Sequence, residues 1–361
     1  MVPSIAGVSL SWFGFAALAF TFSYFATKRL STVRSRLYWV DVPNERSLHR
    51  RPTPRTGGIA ILGGIVIGQL IPIIFGWPAA DIHRTNVLWI LLLALLIGGV
   101  SLLEDWSGLG LGVRLGMHGL AAVALVWETG LTVDRIVIPA IVSLPLAGWL
   151  SAVLTVLAIV WVANLYNFMD GMDGFAGGMT VVGFVFLAII AWTGGHSAVA
   201  AAAVVATAAA GGFLVHNLPP ASIFMGDGGS TSVGFLAAAL AMMGIHEGLF
   251  DMWVPILIFS PFVADATITL IRRLLSGKRV WEPHREHYYQ RLVLAGWGHR
   301  KTVFTEYALM MLCGAAAVFY LRSGEVMKLV VLCAALIMYG AFGRAVGGLE
   351  ARRLDRPERP A

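Results

Sequence analysis

The chain is short of charge. Only 13% of its 361 residues are Asp, Glu, Lys or Arg, against about 25% in a soluble globular domain. Its length would accommodate two or three soluble domains, yet no polar stretch is long enough to form one. Cysteine is nearly absent, and Cys313 and Cys333 both lie in apolar runs. That excludes a disulfide framework or a thiolate metal pair and leaves two small packing residues. No basic residue precedes the first apolar run, whereas Lys28 and Arg29 follow it. This order excludes a cleavable signal and favours a retained helix with its N-terminus outside. Hydrophobic residues make up 58% of the chain, and the combination reads as an all-α polytopic membrane protein.

Eleven apolar runs approach the roughly 17–25 residues that cross a bilayer as helix. They lie near 8–27, 58–77, 87–103, 113–130, 148–167, 175–193, 197–217, 231–249, 252–271, 302–321 and 326–346. The fourth is the weakest, because Arg114, His118 and Glu128 interrupt it. Eleven crossings put the N-terminus outside and the C-terminus inside. The Lys and Arg residues then divide 22 to 4 in favour of the inside segments, with Arg344 at the inner end of the last run counted with the tail, as the positive-inside rule requires. The reading is one transmembrane domain over 1–361, with inside loops near 28–57, 104–114, 168–174, 218–230 and 272–301 and a tail at 347–361. The net charge of +6 belongs to that face, where topology and anionic headgroups explain it without nucleic acid. Outside, the β-branched and Pro-interrupted stretch 131–147 suggests a short hairpin. The small residues of 198–212 suit close helix packing.

The unusual carboxylates collect on the inside face. Glu104 and Asp105 end the third run, Asp170 and Asp173 end the fifth, and Asp227 precedes the eighth. A carboxylate at mid-membrane costs about 2.5–3.5 kcal/mol or more, so these acids belong at the interface or in a wet cleft. Five acids at one mouth repel one another unless a cation is present, and hard oxygen donors without a His/Cys cluster point to Mg²⁺ or Mn²⁺. In NLYNFMDGMDG, Asn164, Asn167, Asp170 and Asp173 recur every three residues. That spacing predicts one polar helical stripe facing the cleft. An ordinary helix end with Asn and Gly caps is the plainer alternative, but a cap needs only one polar residue.

Three further segments share that face. FMGDGGSTS, 224–232, is a Gly-rich turn entering a helix. Asp227 there suits a metal and the turn amides suit phosphate, or it is a plain turn capped by Ser230. EPHREHYYQRL, 282–292, spaces His284, His287 and Arg291 for one face of a short helix, with Arg285 beside them. These groups suit a diphosphate, although a basic interfacial loop explains them too. DVPNERSLHRRPTPRTGG, 41–58, is extended by its prolines and strongly basic, a phosphate clamp or a positive-inside loop. Together the four segments hold what phosphoryl transfer uses: metal-compatible acids, cations for a leaving phosphate, and a carboxylate to position a nucleophile.

In order and spacing these motifs, with LLEDW at 102–106, resemble the polyprenyl-phosphate N-acetylhexosamine-1-phosphate transferases. This is the glycosyltransferase family 4 group that takes in WecA, WbpL and, more distantly, MraY. The likeness covers nearly the whole chain. It implies a Mg²⁺-dependent transfer of N-acetylhexosamine 1-phosphate from a UDP-sugar to undecaprenyl phosphate, releasing UMP, at the inside face of a bacterial inner membrane. It further implies that Asp227 is the direct metal ligand, with Asp173 the second candidate. Glu104 and Asp105 would orient or deprotonate the lipid phosphate. Asn164, Asn167, Asp170 and Asp173 would line the uridine and metal side. His284, Arg285, His287 and Arg291 would hold diphosphate and sugar, helped by Arg46, Thr53 and Arg55 from the first loop. The expected partners are the two substrates and the bilayer, with room for a homodimer.

Two departures from the family pattern matter. Glu104-Asp105 stands where an Asp-Asp pair is usual, which moves one carboxylate by a methylene. HREHYYQRL replaces the triple histidine of the MurNAc-pentapeptide enzymes, which points toward the WbpL-like branch that starts O-antigen or another surface glycan. Two other classes compete. CDP-alcohol phosphotransferases need Asp-Gly-x-x-Ala-Arg, and Asp170-Gly171-Met172-Asp173-Gly174-Phe175 lacks it. A lipid-linked sugar flippase would carry ionisable groups along a mid-membrane path, whereas here they concentrate at inside helix ends, with Asp265 in the ninth run partly an exception.

Overall fold

In the computed structural model the described residues are 5–354, apart from 34, 36, 44–46, 50, 75–82, 108–109, 281 and 283. Helices dominate: α1 Ile5–Leu30, α2 Gly57–Ile74, α3 His83–Ser107, α4 Leu111–Thr129, α5 Gly148–Met169, α6 Phe175–Thr193 and α7 Ser197–Asn217. There follow α8 Asp227–His246, α9 Trp253–Ile258, α10 Ser260–Leu275, α11 Tyr288–Leu292, α12 Gly298–Leu321 and α13 Glu325–Leu354. Each of the eleven apolar runs falls on a helix, one of them in two pieces. Among the described residues, seven helical stretches are long and apolar enough to cross a membrane, and Gly57–Pro72 is a shorter apolar one. The chain is an all-α polytopic membrane protein.

The ninth run departs from the expected single helix. It breaks at Phe259 between α9 and α10, with Pro261 in the first turn of the second piece. Proline cannot donate a backbone hydrogen bond and is favoured where a helix begins, so the chain restarts there. The 131–147 segment forms the expected hairpin: β3 Arg135–Ile138 pairs antiparallel with β4 Val142–Pro145. The indole Nε1 of Trp253 donates to Val137 O at 2.6 Å and pins it.

Helix α8 is the hub. Almost all of its residues from Gly228 to Gly244 are buried, and it packs against α2, α3 and α5. Its short hydroxyl side chains serve that packing. Ser232 Oγ donates to Ala94 O of α3 at 2.9 Å, and Thr231 Oγ1 lies 3.4 Å from Ser101 Oγ. Helix α7, whose small residues promised close approach, packs against α1 and α6. Three cavities open at one end of this bundle, where α4, α5, α8, α10 and α11 meet the connecting loops.

Candidate active site

Two separate loops are stitched together before any functional side chain is placed. The short strand β2, Thr53–Pro54, pairs with β1, Val40–Asp41. Phe224 N then donates to Pro54 O at 2.7 Å, Gly57 N to Phe224 O at 2.9 Å and Gly58 N to Met225 O at 2.8 Å. Gly226 closes the seam with φ 77° and ψ 163°, a region essentially reserved for glycine. Asp227 opens α8 immediately after it. Its carboxylate points at α4, where Arg114 Nη1 sits 3.1 Å from Asp227 Oδ2.

The four-residue polar stripe is real for two of its members. Helix α5 ends at Met169, so only Asn164 and Asn167 lie on it, and Asp170 and Asp173 occupy the following turn. Glycine at 171 and 174 explains the early end, since Gly174 takes the left-handed conformation at φ 74°. Asn164 Nδ2 donates to Val160 O at 2.7 Å and lies 3.2 Å from His118 Nδ1. Asn167 Nδ2 donates to Ser230 Oγ of α8 at 3.1 Å. Burial first, and then the neighbouring Asp227 carboxylate, hold the Asp170 carboxyl well above the usual carboxylate range, against the help of the Gly226 backbone. Asp173 accepts from Ala221 N at 3.1 Å and lies 3.2 Å from His299 Nδ1. The other His299 nitrogen faces Leu48 O at 3.2 Å.

The HREHYYQRL segment also differs from expectation. Helix α11 spans only Tyr288–Leu292, with His287 as its cap, so His284 lies off the helix and the three residues do not share one helical face. Asp265 of α10 anchors the segment, accepting from Tyr288 N at 2.8 Å and Tyr289 N at 3.1 Å, with His287 Nδ1 3.2 Å away. Carboxylate bonds to consecutive backbone amides stop the helix from extending back toward His284. The rings of His284 and His287 are 4.8 Å apart. Burial, then His287 and Arg273, lower the His284 pKa to about 4, so its imidazole is neutral at pH 7. Arg291 points elsewhere: its Nε donates to Glu350 Oε1 of α13 at 2.7 Å, and the guanidinium lies over Tyr288.

These parts frame two cavities and a passage. The larger, about 980 Å³, has apolar walls from α4, α5 and α10, including Leu115, Leu157, Val160, Trp161 and Leu270. Its polar end carries Asn164, Asn167, Asp170, Asp227, His284 and His287. The second, about 680 Å³, is lined by Arg51, Thr53, Asp173, Arg285, His299 and Arg353 among others. A passage of about 100 Å³ lies between them, bounded by Arg55, Asp170, Asp173 and Asp227 and sharing His49 with both. Thr53, Arg55, Asn164, Asn167, Asp170, Asp173, Asp227, His284, Arg285 and His287 therefore share one connected site. Arg291 does not line it. Arg46, and the side chains of Glu104 and Asp105, lie outside the described residues, although the backbone of that pair belongs to the end of α3.

Sequence reasoning passed over Arg114, His118 and His299. The first two looked like interruptions of a weak span. Their i, i+4 spacing placed both on one face of α4, which was the available signal. No group of three His, Cys, Asp or Glu among the described residues is drawn together for a metal. Asp227 and Asp173 are instead held by Arg114 and His299. An all-oxygen pair at a passage suits a Mg²⁺ ion that takes its remaining ligands from substrate phosphate and water.

The family model for glycosyl transferase family 4 matches residues 87–245, which include α5, α8 and the acids between them. The chain is 31% identical over 86% of its length, and 85% of the relative's, to the probable undecaprenyl-phosphate N-acetylglucosaminyl 1-phosphate transferase of Bacillus subtilis. It is 29% identical to a decaprenyl-phosphate N-acetylglucosaminephosphotransferase of Mycobacterium tuberculosis, covering 87% of this chain and 85% of the relative. The phospho-N-acetylmuramoyl-pentapeptide-transferase of Halalkalibacterium halodurans shares 30%, over 74% and 83%. The protein belongs to glycosyl transferase family 4.

Proposed function

We propose that the protein transfers N-acetylhexosamine 1-phosphate from a UDP-sugar to undecaprenyl phosphate, giving undecaprenyl-diphosphate-sugar and UMP. N-Acetylglucosamine is the sugar in the names of two of the relatives described, and it is the first candidate here. One observation carries the reading: an apolar cleft bounded by helices leads, through a passage lined by the four aspartates Asp41, Asp170, Asp173 and Asp227, into a basic polar pocket. A lipid phosphate and a water-soluble nucleotide sugar need such an arrangement to meet. The lipid chain lies against Leu157, Val160 and Trp161, and its phosphate reaches the polar end of that cleft. The nucleotide diphosphate occupies the pocket of Thr53, His49, Arg51 and Arg285.

A lipid phosphate oxygen attacks the sugar-bearing phosphorus. The bond to the bridging oxygen breaks, and that oxygen leaves with its electron pair on UMP. One phosphoanhydride replaces another, so no further energy source is required, and catalysis is positioning plus charge neutralisation. Glu104 and Asp105 orient or deprotonate the attacking phosphate. Asp227, with Asp173 or Asp170, would hold Mg²⁺, which when bound supplies positive charge against the diphosphate. Arg55 and His287 hold phosphate oxygens, and neutral His284, whose Nδ1 accepts from Glu286 N, offers its Nε2–H to the sugar. The site faces the cytoplasm of the bacterial inner membrane, where UDP-sugars are made, and the product starts O-antigen or another surface glycan. In the test, purified protein is incubated with undecaprenyl phosphate, Mg²⁺ and labelled UDP-N-acetylhexosamines. Label should enter the organic phase with equal release of UMP. If no UDP-sugar releases UMP, the reading is wrong.

A further inference from the structure

Arg291 was expected at the diphosphate, and the structure places its guanidinium against Glu350 of α13. The reason lies in one stripe of that last helix. Phe342 packs on Tyr288 with ring centroids 6.3 Å apart, and Val346 is 1% exposed. Glu350 takes the Arg291 guanidinium, and Arg353 lines the basic pocket. Positions 342, 346, 350 and 353 follow the i, i+4, i+8, i+11 repeat of a single helical face. The stripe fastens the end of α13 onto α11, and its last member falls one turn beyond the fastening, at the cavity. Arg352, one residue earlier, does not line that cavity.

Within the pocket Arg353 joins Arg51 from the first loop and Arg285 from the HREHYYQRL segment. Its carboxylate, Asp173, is already held by His299. Three arginines from three separate segments, lining a space of about 680 Å³, suit a polyanion larger than one phosphate, because guanidinium forks grip phosphate oxygens in pairs. Resting on the function proposed above, we infer that Arg353 is a further ligand of the nucleotide diphosphate, and that the Arg291–Glu350 pair is the strut that positions it. Arg291 thus acts on the substrate through α13, not by touching it.

The test is equilibrium binding of UDP, uridine and inorganic pyrophosphate to the full-length protein in nanodiscs of zwitterionic lipid, repeated with phosphatidylglycerol added. Arg353→Ala should weaken UDP and pyrophosphate by about tenfold, the loss of one charge-assisted contact at a partly exposed site, and leave uridine unchanged. Arg353→Lys should recover part of that loss. Glu350→Gln should weaken UDP in the same sense, and Glu350→Arg combined with Arg291→Glu should restore it, an outcome that a general folding defect does not produce. Unchanged UDP affinity in Arg353→Ala overturns the inference, and so does an effect confined to retention of phosphatidylglycerol. Wild-type protein that binds pyrophosphate but neither UDP nor uridine keeps the anion site and sinks the nucleotide reading. Protein that binds none of the three sinks both.

Discussion

Gly226 offers the sharpest perturbation of the site that removes no functional side chain. Its φ of 77° and ψ of 163° lie where a residue with a Cβ pays about 1–3 kcal/mol in backbone strain. An added Cβ would also stand 2.1 Å from Arg55 O, closer than any stable contact, and the obstacle is backbone. To relieve it, the 53–56 segment and the 224–227 turn must separate by at least about 1 Å, enough to bring the contact to 3.0 Å, below which real Cβ atoms are essentially never found. Three hydrogen bonds cross that seam at 2.7–2.9 Å, each contributing about 0.5–1.5 kcal/mol. Gly226→Ala therefore costs about 2–4 kcal/mol in total, allowing partial relaxation. Since Asp227 moves with the turn, a displacement near 1 Å should lower turnover by about a hundredfold. The assay pairs thermal unfolding in detergent with UMP release. Gly340→Ala is the control, because nothing lies within 4 Å of a Cβ added there. A Gly226→Ala protein with wild-type turnover would refute the claim that this seam sets the position of Asp227.

Other outcomes follow from the same geometry. Asp227→Asn and Asp105→Ala should each lower UMP release on the order of 10³-fold, several kcal/mol of lost charge stabilisation, while the protein still inserts and purifies. Chelation of divalent cations should stop release of UMP, and added Mg²⁺ or Mn²⁺ should restore it. His284, with its pKa depressed from 6.5 to about 4, binds a proton less readily folded than unfolded. Stability should therefore fall as pH drops from about 6.5 toward 4, and His284→Gln should flatten that part of the melting-temperature profile. Asn167→Ala removes the bond to Ser230 and should cost about 1 kcal/mol in thermal stability, because Ser230 keeps Gly226 O as an acceptor.

Most of the fold was legible because helices in a membrane announce themselves through apolar length, and all eleven runs fall on helices. The break at Phe259 was not, since hydropathy measures length and says nothing about where a backbone restarts. Residue type and spacing brought Asp170, Asp173 and Asp227 to one passage. Helical periodicity overreached at Asp170, where glycine ends α5 early, and at His284, where Asp265 holds the following amides. Arg291 shows the other limit. A basic residue beside a functional motif looks like a ligand until its partner is found 59 positions away in α13. Tertiary pairing of that kind leaves no local trace.

An exchange of one phosphoanhydride for another at a single site must also run backward at that site. Protein is given undecaprenyl-diphosphate-N-acetylglucosamine, Mg²⁺ and labelled UMP, with no nucleoside triphosphate. Label should appear in UDP-N-acetylglucosamine as undecaprenyl phosphate accumulates, with an equilibrium constant within about tenfold of one, since the bonds made and broken are alike. Conversion of the lipid without label entering UDP-sugar, or a dependence on triphosphate, would contradict it.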